Sequence, residues 1–176
     1  MNEGMEERGR SGRGPIAALL AEDHRRLDAL LQSALAEADR VDHTAYDQFR
    51  AGILRHIGME EKILVPAVHR SRGGNSLPMA SALRLDHGAI ASLLMPTPTA
   101  AIIKMLRGIL GEHNTIEEGP GGLYEICDTL AGAEAEPILI RLHAAPVLRV
   151  MPYSDTETVL STVRRAVERA GYQFEE

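Results

Sequence analysis

Four stretches of this chain place apolar residues every three or four positions, and a few polar, glycine or proline residues separate each from the next. That spacing gathers the apolar side chains onto one face of a helix. Short joints then make successive helices antiparallel neighbours, so the natural packing is a bundle. The first stretch starts at Pro15, a residue suited to a first helical turn. It runs to Arg40 through Ile16, Leu19, Leu20, Leu27, Leu30, Leu31 and Leu35. A polar joint at 41–43 follows, and Thr44 is the expected cap of a second helix reaching about Arg70 with Phe49, Ile53, Ile57, Ile63 and Leu64 inside. Residues 71–77 (SRGGNSL) read as a turn, and Pro78 opens a third helix ending near Leu94. Thr97 or Thr99 begins a fourth, through Ile102, Ile103, Leu106, Ile109 and Leu110 to Glu118, where GPGG at 119–122 stops it. Short helical pieces are expected at 123–130 and 137–144, an extended run at 146–153, and a last helix at 157–170 capped by Ser154 or Asp155 and closed by Gly171. ILIRL and VLRVM are the only segments suited to pair as short strands.

The expected fold is all-α: an up-down antiparallel four-helix bundle at 15–130 with a C-terminal extension at 131–176 packed on it. Residues 1–14 are charged and rich in glycine with no hydrophobic period, which predicts a disordered tail. The extension is expected either to latch across the bundle or to join two copies in a homodimer.

Composition narrows the function. The 176 residues carry a net charge of −6, which leaves no electrostatic footprint for nucleic acid or an anionic membrane. Aromatic residues are only 3%, too few for stacking platforms. A single cysteine, Cys127, excludes an internal disulfide and any CxxC metal site. Neither a signal-peptide pattern nor an apolar run of membrane-spanning length is present, so the expected compartment is the cytoplasm. The seven histidines point elsewhere, because imidazole is the commonest metal ligand.

Each bundle helix contributes one of them: His24, His56, His87 and His113, spaced 32, 31 and 26 residues apart. One helix plus one joint separates each pair, which can bring all four imidazoles to a similar height in the core. The second and fourth helices add His56-Ile-Gly-Met-Glu60-Glu61 and His113-Asn-Thr-Ile-Glu117-Glu118. Residues four apart on a helix point the same way, so each histidine and its following glutamate can reach one ion or two adjacent ions. With Glu at 17 of 176 positions, a histidine followed by Glu at both the fourth and fifth places arises by chance roughly once in a hundred, and the doubled motif is far rarer. A lone helical histidine is usually a surface or satisfied core residue. Four with two carboxylates in one interior need a partner, and a metal pair supplies it. Nitrogen and carboxylate donors without thiolate suit iron or manganese better than zinc.

The segments EDHRRLDALL, HIGMEEKILVP, LDHGAIASLL and EHNTIEEGPGGLY resemble the hemerythrin-like (HHE cation-binding) family of non-haem di-iron bundles over about residues 16–130. The resemblance implies two Fe ions, oxo- or hydroxo-bridged when oxidised, with His24, His56, His87 and His113 as terminal ligands and Glu60 and Glu117 as bridges. Oxygen carriers of the family have a second histidine four residues after that of the third helix, and here that position is Ala91. The resemblance is therefore to the branch with four His and two Glu, with one iron more open. Carriers also place the last carboxylate five residues after its histidine, which is Glu118 here. The fourth-helix bridge is thus Glu117 or Glu118, and the i, i+4 spacing from His113, matching that of His56 and Glu60, favours Glu117.

The expected function is to bind or sense oxygen, peroxide or nitric oxide at this site, with weak peroxide or oxygen reduction left open as an enzymatic activity. The alternatives are a di-iron oxidoreductase, an iron-delivery or iron-sulfur repair protein, and a structural or zinc-binding bundle. The repair branch usually carries a cysteine-containing N-terminal segment, and the tail here has none. Asp23, Asp86 and Glu112 each precede a ligand histidine and are expected either to hold a ring on a neighbouring helix or to face solvent. Cys127 reads as a buried inert thiol. His43, His69 and His143 read as structural or solvated.

Overall fold

The computed structural model describes residues 13–35 and 40–174. The disorder expected of the tail falls on residues outside that description, apart from Arg13 and Gly14. The chain is helical: α1 Pro15–Ala34, α2 His43–Met59, a π-helical segment Glu60–Leu64, α3 Val65–Ser71, α4 Ala80–Leu93, α5 Ala100–Glu118, α6 Leu123–Ala131, α7 Ala135–His143 and α8 Glu157–Arg169. The π segment joins α2 and α3 into one rod. With α1, α4 and α5 it makes the bundle, so the expected fold class is observed.

The helix ends differ from expectation where local hydrogen bonding decides them. α1 stops at Ala34, and the expected continuation to Arg40 crosses residues outside the description. Asp42, not Thr44, caps α2, its carboxylate accepting from the amides of Thr44 at 2.8 Å and Ala45 at 3.1 Å. Regular α4 begins at Ala80, two residues after Pro78. Thr99 caps α5, and Thr156 caps α8 in place of Ser154 or Asp155. Asp155 instead accepts from the amide and hydroxyl of Thr97, tying the extension to the joint between α4 and α5. ILIRL lies inside α7, and VLRVM follows it without regular secondary structure, so these two segments form no strand pair.

The π turn has a local cause. Pro66 lacks an amide hydrogen, and its ring crowds the carbonyl four residues back in a regular helix. The wider turn just before it absorbs that mismatch. Val65 donates to the carbonyl of Glu60, five residues earlier.

Two apolar clusters fill the bundle, one toward each end. Leu27, Leu31, Phe49, Ile53, Ile90, Leu93, Ile103 and Leu106 belong to the first, and Val163 and Val167 of α8 join them. Ile16, Leu20, Met59, Leu64 and Leu83 belong to the second, with Leu123 and Cys127 of α6 and Leu142 of α7. α1, the α2–α3 rod and α4 each pass from one cluster to the other with the histidine between them in sequence, and on α5 His113 follows the residues of the first cluster.

Arg50 and Arg55, both on α2, fasten the extension. Arg50 is only 5% exposed, donates to the carbonyl of Met151 at 3.0 Å and lies 4.1 Å from the centre of the Tyr153 ring. Asp47 sits 3.4 Å from the same guanidinium and accepts from the Tyr153 hydroxyl. Arg55 donates to the carbonyls of Leu142, His143 and Ala145 at the C-terminal end of α7, where the helix dipole favours a cation. Replacing Arg50 with alanine removes a stacked, hydrogen-bonded buried cation. Arg50→Ala is expected to cost about 2 kcal/mol, read as a lower urea midpoint, with metal content per folded chain unchanged. An unchanged midpoint would show that the strap is held elsewhere.

Candidate metal centre

The six residues expected to form the site converge between the two clusters. His24, His56, Glu60, His87, His113 and Glu117 are all at most 5% exposed, and both glutamates are fully buried. They form two overlapping donor groups: His24, His56, Glu60 and Glu117, and Glu60, His87, His113 and Glu117. Within each group the donor atoms lie within 4.8 Å of one another. The two glutamates belong to both groups.

Each imidazole is held from outside by a carboxylate on a neighbouring helix. Nδ1 of His56 lies 2.9 Å from Asp23, that of His113 3.2 Å from Asp86, that of His87 2.9 Å from Glu61, and that of His24 2.8 Å from Glu118. A carboxylate only accepts, so all four Nδ1 atoms carry hydrogen. The outer carboxylates run in a closed order, α1 to α2, the π segment to α4, α4 to α5, and α5 back to α1. Asp23 is held in turn by Arg26 and Glu118 by Arg13.

The inner atoms follow from the outer ones. With hydrogen on Nδ1, each neutral ring turns a lone pair at Nε2 toward the centre. Nε2 of His56 lies 3.1 Å from Oε1 of Glu60, and Nε2 of His87 3.1 Å from Oε2 of the same residue. Nε2 of His113 lies 3.2 Å from Oε1 of Glu117, and Nε2 of His24 3.4 Å from Oε2. The Nε2 atoms of His87 and His113 face each other at 3.2 Å. Oε2 of Glu60 and Oε1 of Glu117 are buried without an aligned hydrogen bond, although imidazole nitrogens are this close. Four lone pairs and two carboxylates facing inward require cations, and the donor set fits iron or manganese.

Protons meet part of that requirement when no metal is bound. Burial opposes charge on His56, but Glu60 and Asp23 outweigh it and hold its pKa at about 10. His113 is likewise opposed by burial and held at about 10 by Asp86 and Glu117. Burial raises the Glu60 carboxyl, but His56 and His87 more than offset this and hold it well below its usual range.

The family model of the hemerythrin HHE cation-binding domain matches residues 16–119. The chain belongs to that family. No curated protein and no solved structure matches it. As a hemerythrin HHE domain it is a metal-binding protein, and iron is the common metal of the family. Among the described residues, no helix is long and apolar enough to cross a membrane.

Of the two fourth-helix glutamates of this HHE domain, Glu117 is in both donor groups and Glu118 holds the back of His24. Asp23 and Asp86 hold rings as one expectation had it, whereas Glu112 faces solvent. Ala91 lies one turn beyond His87 on α4 and is half-buried, with no donor to offer. His43, His69 and His143 are exposed and outside both groups. Cys127 is buried, and burial with the nearby Asp128, Glu60 and Glu117 charges lifts its thiol to about 12, which keeps it protonated at neutral pH.

One residue at the centre was missed. The Tyr124 hydroxyl lies 2.5 Å from Oε1 of Glu60, 3.0 Å from Oε2 of Glu117, 3.0 Å from Nε2 of His24 and 3.2 Å from Nε2 of His56. Burial and the two carboxylates push its pKa well above the ordinary phenol range. GPGG turns the chain so that α6 doubles back along the site. Gly121 has φ +72°, and a Cβ on Gly122 would come within 2.5 Å of the carbonyl oxygens of Ile116 and Glu117. Asp128, one turn after Tyr124, accepts from the amides of Ile16 and Ala17 at 3.0 Å and so pins α6 to the start of α1. The signal was a tyrosine just after the second HxxxEE in a chain with four tyrosines.

A group whose pKa rises on folding stabilises the fold fully below its unfolded value, and that contribution is lost as pH climbs through the folded value. For His56 and His113 this window runs from 6.5 to about 10. The metal-free protein is therefore expected to lose thermal stability steadily across that range in a pH series of melting curves. Zinc added at pH 7 in weak buffer should release protons, because the same nitrogens must shed them to bind. A flat melting temperature would mean that the imidazoles are neutral throughout.

Proposed function

We propose that this chain is a non-haem di-iron protein that binds or senses oxygen, peroxide or nitric oxide. The observation that carries this reading is the pair of donor groups sharing Glu60 and Glu117, with all four Nε2 lone pairs turned inward. His24 and His56 would hold one ion, His87 and His113 the other, and the two glutamates would bridge them. This is the arrangement of the branch with four His and two Glu ligands. Iron bound there supplies an exchangeable position and electrons for a small ligand.

The chain's own residues do the rest. Asp23, Glu61, Asp86 and Glu118 hold the imidazoles in one tautomer and orientation, which raises their basicity as ligands. The apolar clusters above and below limit the access of water. Ala91, on the face of α4 that carries His87, supports an exchangeable position on the ion held by His87 and His113. The occupants that fit are small: a diatomic gas, peroxide or an anion such as azide.

Protein from iron-replete cells is expected to contain about two irons per chain by elemental analysis. One zinc per chain, with no iron uptake after stripping, would contradict the proposal. Glu60→Ala and Glu117→Ala should lose the two-metal site, since each removes a donor from both ions. Glu118→Ala should keep both ions with affinity about 10–100-fold weaker, and His69→Ala should change neither. Equal loss in Glu117→Ala and Glu118→Ala would mean that the bridge is misassigned.

Carriage and sensing differ in reversibility. With Ala91 in place of an imidazole, the anaerobic ferrous protein exposed to air is expected to pass irreversibly to a ferric spectrum. A spectrum that returns to the deoxygenated form over repeated cycles of air and vacuum would instead indicate a reversible carrier.

A further inference from the structure

The two donor groups match in histidines and glutamates but not in what else reaches them. The Tyr124 oxygen lies between 2.5 and 3.2 Å from four acceptors of the first group, Oε1 of Glu60, Oε2 of Glu117, Nε2 of His24 and Nε2 of His56. It has one hydrogen to share among them. Among the described residues, no hydroxyl is hydrogen-bonded to His87 or His113, the histidines of the second group.

One cation can engage the phenol oxygen and these four donor atoms together. Nitrogen and oxygen ligands about 2.0–2.2 Å from an ion lie about 3 Å from one another when adjacent. An oxygen about 3 Å from all four donors of a group is adjacent to each of them. An ion held by those four donors would have the Tyr124 oxygen within reach as a further ligand. The hydroxyl is also fixed there. Tyr124 is 1% exposed, and α6 is held by the amide bonds of Asp128 to α1 and by the turn at Gly121 and Gly122.

We infer that Tyr124 is a ligand, as phenolate, to the ion held by His24 and His56, and that the two metal positions are therefore chemically unequal. This rests on the two-metal reading above. Binding breaks the phenol O–H bond, forms an oxygen–metal bond and releases one proton to solvent, with no change of oxidation state. The ion held by His24 and His56 then has five protein ligands and the other has four. An incoming small ligand is directed to the ion held by His87 and His113, on the helix face that carries Ala91.

The test uses the full chain loaded anaerobically with ferrous iron and then oxidised. A phenolate on ferric iron gives a visible charge-transfer band with resonance-enhanced ring vibrations. The expected result is that band in the wild type, its absence in Tyr124→Phe, and two irons per chain in both. Zinc loading provides a redox-silent check. The wild type should show a tyrosinate ultraviolet difference spectrum and release one more proton than Tyr124→Phe. Two metals in the wild type with no phenolate signature would overturn this inference and leave the di-metal reading standing. No metal uptake would overturn both. Should Tyr124→Phe fail to fold, the wild-type band decides, with Tyr153→Phe as the control. Loss of the band in Tyr153→Phe would overturn the assignment to Tyr124.

Discussion

Everything in this bundle is arranged around hydrogen on the outer nitrogen of four buried imidazoles. Once Asp23, Glu61, Asp86 and Glu118 take those hydrogens, four lone pairs and two carboxylates share one interior space. Such an interior is costly unless cations enter it, as protons or as metal. The apolar clusters on either side deepen that cost by excluding water, and they make the layer selective for what can neutralise it. The core is thus built to hold charge, and its stability and its chemistry respond to the same occupant.

The site is nearly two-fold in its parts. Asp23 and His24 on α1 face His56 on α2 and Glu60 and Glu61 on the π segment that follows it. In α4 and α5, Asp86 and His87 face His113, Glu117 and Glu118. Asp23 and Asp86, just before a histidine, and Glu61 and Glu118, just after a shared glutamate, each hold a ring on another helix, because neighbours on a helix point about 100° apart. A residue beside a ligand therefore cannot serve its own neighbour and serves the adjacent helix instead. α6 breaks the equality by returning Tyr124 to one half only.

The C-terminal extension belongs to the same body as the bundle. Arg50 and Arg55 project from the helix that carries His56, and both donate to carbonyls more than eighty residues away. α8 adds Val163 and Val167 to the cluster at one end, while α6 and α7 cover the other. The helix bearing His56, Glu60 and Glu61 is consequently braced from outside along much of its length.

Periodicity and spacing alone determined the helical class, the number of bundle helices, the four histidines and the glutamates beside them. These properties are local: a helix repeats every 3.6 residues whatever surrounds it, so residues four apart share a face. The four-residue spacing from His113 favoured Glu117 over Glu118, and Glu117 is the one found in both donor groups. What was not legible depended on contacts across the chain or on competition at helix ends. Asp42 and Thr156 won their caps, and Thr99 won over Thr97, by the direction of a side-chain oxygen, which composition does not reveal. The partners of Glu61 and Glu118 required knowing which helices adjoin. Only the tertiary structure brought Tyr124 to the glutamates, because its position depends on two glycines turning the chain and on Asp128 bonding to amides 112 and 111 residues earlier. No local repeat encodes a contact of that span.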